Sequence, residues 1–88
     1  MPITKLKKRD GRIVDFDSTR IKSAIHKAFV AVELKDGERA EGITREVVEL
    51  LEARFKDKIP SVEDAQDLIV MVLTRRGYEK VAEEYQAY

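Results

Sequence analysis

Cysteine is missing from the 88-residue chain, and histidine occurs once, at His26. Disulfides, thiolate metal centres and cysteine nucleophiles are therefore excluded, and so are zinc sites built from clustered histidines. The lack of cysteine fits a reducing compartment. Net charge is also missing, since 17 Lys and Arg balance 17 Asp and Glu. A general polyanion binder would be basic overall. No apolar run approaches the length of a membrane span and no signal peptide heads the chain, so the expectation is a soluble, cytoplasmic protein. There is no GxxxxGK[ST] loop, no credible Ser/His/Asp set, and no linker, repeat or low-complexity segment. What remains is one small domain with a modest core.

The charge that is present is unevenly placed. Between Met1 and Arg12, Lys5, Lys7, Lys8, Arg9 and Arg12 face only Asp10, a local net charge of +4 on an otherwise acidic body. This stretch reads as a β-hairpin turning at Asp10-Gly11, the strongest short hairpin signal. Alternation puts Thr4, Leu6 and Lys8 on one face and Ile3, Lys5 and Lys7 on the other. The cations are thus mounted on a ribbon, beside the anion-attracting start of the helix that follows.

Four helices follow the ribbon. Asp17 or Ser18 caps the first, whose stripe is Ile21, Ala24, Ile25, Ala28, Phe29 and Val32. Lys35-Asp36-Gly37 interrupts it. The second runs from about Glu38 to Phe55 around Ala40, Ile43, Val47, Leu50 and Leu51, with a first turn expected to be irregular at Gly42. Lys56–Pro60 reads as an extended segment able to add a third strand beside the hairpin. Ser61-Val62-Glu63-Asp64 is a capping-box-like start for a central helix, which ends at Arg75-Arg76-Gly77. Tyr78 to Tyr88 forms the last helix, and its stripe is still running where the chain stops, as if cut from something longer. The expected fold is α+β: a small hairpin or three-stranded sheet capping a four-helix bundle, in the order β-β-α-α-β-α-α.

Taken together, Leu6-Lys7-Lys8-Arg9-Asp10-Gly11, Phe16-Asp17, Arg20-Ile21, Ala24-Ile25, the stretch from Ser61 to Leu68, Gly77-Tyr78, Ala82 and Tyr85 resemble the ATP-cone. This family is a nucleotide-binding regulatory domain found mostly at the N-terminus of ribonucleotide reductases and also in the repressor of the reductase genes. The resemblance spans essentially the whole chain. It implies an ATP or dATP, with magnesium, lying between the β cap and the helices. Leu6 would line the nucleotide and Lys8 and Arg9 would hold phosphates. Asp17 would lie by the adenine, Arg20 would stand where a lysine usually meets phosphate, and Ile21 is the isoleucine that commonly follows. Val62 stands where some members place a threonine toward the phosphates, and Val14 where some place a glutamate toward the base. By the same resemblance, residues 1–88 would be a non-catalytic regulatory domain at the N-terminus of a larger reductase of deoxyribonucleotide synthesis. Its partners would be the adenine nucleotide, the catalytic domain and a second copy in a homo-oligomer. Reduction in that family needs radical-bearing cysteines, so this chain is not expected to be an enzyme.

The residues alone support plainer readings too. Lysines on an edge strand block unwanted pairing, which suffices for Lys5 and Lys7. Arg20 opposes the dipole of its own helix, and that cost argues for a role. His26 reads as a surface residue, and Tyr78, Tyr85 and Tyr88 as the edge of the core. The competing function is a small nucleic-acid-binding or assembly domain using the basic hairpin; zero net charge and the scarcity of aromatics in the hairpin count against nucleic acid. The repressor form would need a cysteine zinc ribbon, for which there are no cysteines.

Overall fold

A computed structural model describes residues 3–33 and 37–87. Strands β1 (Lys5–Lys7) and β2 (Ile13–Asp15) pair antiparallel with Lys5 opposite Asp15, Leu6 opposite Val14 and Lys7 opposite Ile13. They are joined through Arg9, Asp10 and Gly11: Gly11 N donates to Lys8 O at 2.9 Å, and Lys8 N donates to Arg12 O at 2.8 Å. Gly11 has φ +90°, the left-handed position that closes a type I turn with a bulge. Asp10 braces this turn by accepting from Arg12 N at 3.0 Å and Arg12 Nε at 2.7 Å. Arg12 is thereby neutralised, and Lys5 is likewise paired with Asp15.

Helix α1 (Ser18–Ala31) begins at Asp17, whose carboxylate accepts from Thr19 N at 3.0 Å. Helix α2 spans Gly37–Arg54; of the expected break at Lys35-Asp36-Gly37, Gly37 is the first residue of the helix, and Lys35 and Asp36 lie outside the described residues. The irregular turn expected at Gly42 is not found. The helix is continuous there, and the flat surface left by Gly42 lies under the Arg76 guanidinium, which is bound to Glu46 at 2.6 Å. Helix α3 (Val62–Arg75) opens with a complete capping box: Asp64 N donates to Ser61 Oγ at 3.0 Å and Ser61 N to Asp64 Oδ2 at 2.9 Å. It closes with Gly77 at φ +87°, Tyr78 N donating to Leu73 O and Gly77 N to Thr74 O, the paired bonds of a Schellman motif. Helix α4 covers Glu79–Gln86, with Tyr78 and Ala87 as its caps; Tyr88, the expected end of the helix, lies outside the described residues.

The third strand is a correction. Lys56, Asp57 and Lys58 are exposed and turn, and only one backbone bond, from Lys7 N to Pro60 O at 2.9 Å, ties this segment to β1. Pro60 has no N–H with which to extend a ladder, and Ser61 is already committed as a helix cap. A single parallel bridge between Lys7 and Ser61 is all that forms, so the sheet has two strands.

Helix α1 packs on α2 and α4, and α3 packs on the same two, so α1 and α3 lie diagonally. The core between them comprises Ile25, Ala28 and Phe29; Ala40, Ile43, Val47 and Leu51; Ala65, Leu68, Ile69, Val72 and Leu73; and Val81 and Ala82. Tyr78 closes one end, its ring edge-on to Phe29 at 5.2 Å. The buried Thr44 hydroxyl donates to Ala40 O at 2.7 Å. Ile21 and Ala24 continue the stripe of α1 yet are only half-buried: Ile21 packs against the edge of the core, and both also face the hairpin.

Candidate functional site

The hairpin's inner face and the first turns of α1 and α3 enclose a hollow of about 190 Å³. Leu6, Val14 and Phe16 form its hairpin side. Ile21 and Ala24 come from α1, Val62, Ala65 and Ile69 from α3, and Tyr85 from α4. Leu6 and Val14 face each other in register, so their joint apolar surface follows from strand alternation. Polar groups reach this apolar chamber at a few points: Lys8, Asp15, Asp17, Arg20 and Gln66.

A second hollow of about 460 Å³ adjoins it, lined by Thr19, Ser23 and Lys27 and sharing Arg20, Ala24, Gln66 and Tyr85 with the first. Both hollows are open to solvent on one side, and the larger by itself falls in the range of small-molecule sites, roughly 300–1,000 Å³.

The electrostatics favour an anion. Among the described residues, neither Lys8 nor Arg20 has a side-chain hydrogen bond or ion pair, and Lys8 is half-buried. Two helix N-termini converge on the same space, that of α1 capped by the Asp17 carboxylate and that of α3 carrying Glu63 and Asp64 in its first turn, so the positive potential comes from the cations more than from the helix dipoles. The carboxylates nearby are already engaged. Asp17 is held below its usual pKa by the Thr19 hydroxyl and amide and by the charge of Arg20, and Asp15 is held down by Lys5. Burial pushes the Tyr85 phenol above its usual value.

Leu6, Lys8, Asp17, Arg20, Ile21 and Val62, which the sequence singled out, all line the first hollow; Arg9 does not. The Arg9 guanidinium lies over α3, with Nη2 3.4 Å from Gln66 Oε1 and Nε 3.8 Å from Glu63 Oε1. Lys5 and Lys7 project from the opposite face of the ribbon. Gln66 and Tyr85, which belong to the stretches that carry the family resemblance but were given no place in the site by sequence, also line both hollows. Gln66 follows Val62 by four residues and Tyr85 follows Val81 by four, so helical spacing alone places each beside a site-facing or core residue. No group of three or more potential metal ligands occurs among the described residues.

Comparison with known proteins gives this geometry its context. Residues 4–88 match the family described as the ATP cone domain. Over 92 aligned residues the chain is 37% identical to the vitamin B12-dependent ribonucleoside-diphosphate reductase of Thermoplasma acidophilum, a match covering 98% of this chain and 12% of that protein. The chain thus corresponds to a small fraction of the reductase it resembles. ATP cones are regulatory domains that bind nucleotide effectors. With the match running through the hairpin, all four helices and both hollows, the chain belongs to the ATP cone domain family and is a regulatory rather than a catalytic domain.

Proposed function

We propose that this domain binds ATP or dATP in the hollow beneath the hairpin and reports the bound nucleotide to a ribonucleotide reductase. One observation carries the reading: two cations that have no side-chain hydrogen bond or ion pair among the described residues, Lys8 and Arg20, border an apolar chamber at two helix N-termini. A triphosphate supplies the missing negative charge, and a purine fills the space between Leu6, Val14 and Ile69. Leu6, Ile21 and Val62 would pack on the nucleoside, Asp17 would stand by the base, and Lys8, Arg20 and Arg9 would hold phosphates. Because the Val14 side chain offers no hydrogen bond to the base, base selection falls to Asp17, Gln66 and backbone groups, and Val62 likewise adds no hydroxyl toward the phosphates. Magnesium fits as an ion carried by the phosphates, since Mg²⁺ is commonly bound through one or two carboxylates plus substrate phosphates.

The relative's name supports extending the reading to a parent protein. Residues 1–88 would form the activity-control domain of a vitamin B12-dependent reductase, with the exposed faces of α2 and α4 available to its catalytic part or to a second copy. ATP and dATP would then act by differential affinity for two states of that assembly. The nucleic-acid reading is weakened by the pairing of Lys5 with Asp15 and of Arg12 with Asp10, which removes two charges from the cationic run.

The test is calorimetric titration of ATP into the chain and its variants. Lys8→Ala and Arg20→Ala should each weaken binding by about 1.5–3 kcal/mol, the range for hydrogen bonds to charged groups, while Lys5→Ala should change it little. Equal losses from all three would mean diffuse attraction and no site beneath the hairpin.

A further inference from the structure

Resting on the nucleotide reading of the hollow, we propose that Glu63 is a built-in counter-ion: it holds Arg9 at the rim in the ligand-free chain, and an anionic effector must displace it. Arg9 follows Lys8 directly, yet only Lys8 lies in the wall of the hollow. The Arg9 guanidinium is shared between two residues on one face of α3, Gln66, which lines both hollows, and Glu63, which lines neither. It therefore straddles the boundary between the site and the outside.

Both contacts are easily exchanged. At 3.4 and 3.8 Å they lie at the outer limit for a hydrogen bond and an ion pair, and the Arg9 and Glu63 side chains are 71% and 67% exposed. A phosphate oxygen offers Arg9 a shorter, bidentate, charge-assisted partner. The other nearby carboxylates are committed: Asp64 completes the capping box, Asp17 caps α1, and Asp15 pairs with Lys5. Glu63 takes no part in the cap. It places a negative charge in the first turn of α3, where the helix dipole would otherwise favour the ligand's phosphates. Glu63 thus competes with the effector twice, for the Arg9 guanidinium and for the field of α3. The first competition is specific to Arg9 and can be isolated.

The experiment is calorimetry of ATP binding to the chain carrying Glu63→Gln, Arg9→Gln or both, each checked for an intact thermal transition without ligand. Glu63→Gln should tighten ATP about two- to fivefold, the span expected of an exposed ion pair released from competition. The gain should be clearly smaller in the Arg9→Gln background, and the Arg9 Nε–H resonance of the ligand-free chain should shift when Glu63 is neutralised. Unchanged or weaker ATP binding to Glu63→Gln would overturn the proposal. So would the same gain with and without Arg9, which would leave only a general field effect. If the folded wild-type chain binds no ATP at all, the nucleotide reading itself fails; if it binds ATP and Glu63→Gln is neutral, only the counter-ion role falls.

Discussion

Lys8 and Arg9 are adjacent cations whose surroundings give them different work. Lys8 sits on the inner face of the ribbon without a partner, while Arg9, in the turn, reaches across to α3. Composition could rank neither above Lys5 or Lys7; strand alternation separated Lys8 from those two, and only the fold revealed the reach of Arg9. A similar limit applies to Ile21 and Ala24. Helical periodicity marks an apolar face, but it does not say whether core or a ligand chamber covers it. At this scale Asp17 yields a pH prediction. Its folded pKa lies below the usual carboxylate value of 3.8 because of the Thr19 bonds and Arg20, as does that of Asp15 because of Lys5. As pH falls, the unfolded chain takes up these protons first. The stabilisation is therefore full above about pH 4–5 and is lost as pH drops through the folded values. Thermal melts between pH 6 and pH 2.5 should show this loss. Asp17→Asn, which keeps a capping oxygen without the charge, should show a smaller one; equal slopes would contradict the assignment.

Among the elements, caps carried the clearest signal. Ser61 with Asp64, Asp17 before α1, and Gly77 after Arg75-Arg76 all occupy the positions their chemistry implies. The third strand was misread because an extended segment beside a hairpin resembles a strand until its hydrogen bonds are traced: Pro60 stops the ladder after a single bond. The irregular turn at Gly42 was misread because propensity omits the tertiary packing, here the Arg76–Glu46 pair, that holds the helix. The glycines consequently predict opposite signs. A Cβ at Gly42 meets only Arg76 Nη1, at 3.7 Å, so Gly42→Ala should stabilise by about 0.4–1 kcal/mol through the unfolded chain. At Gly77, where φ is +87° and space is open, alanine should cost about 1–2 kcal/mol in backbone strain alone. Ser61→Ala should cost about 1 kcal/mol by opening the capping box. Urea denaturation of the three variants measures all of these, and a stabilised Gly77→Ala would contradict the Schellman geometry.

For the molecule as a whole, α+β class, helix order and core were legible because four apolar stripes of helical period leave few ways to pack. The hollow was not legible, because it depends on how far the hairpin stands from α1 and α3. Phe29, fully buried between α1 and the other helices and edge-on to Tyr78, should be the costliest truncation. Phe29→Ala is expected to lose about 3–5 kcal/mol, a large share of what a domain this small possesses, and its melting transition should fall accordingly. Among the described residues no helix is long and apolar enough to cross a membrane.

The measurement closest to the central claim is calorimetric titration of the intact chain with ATP, dATP, GTP and inorganic triphosphate in the presence of magnesium. Adenine-selective binding in the micromolar range, with ATP and dATP competing for one site and with the affinity lost in Lys8→Ala, is the predicted result. A folded chain that gives no heat with either adenine nucleotide, or that binds triphosphate as tightly as ATP, would contradict a purine-holding chamber beneath the hairpin.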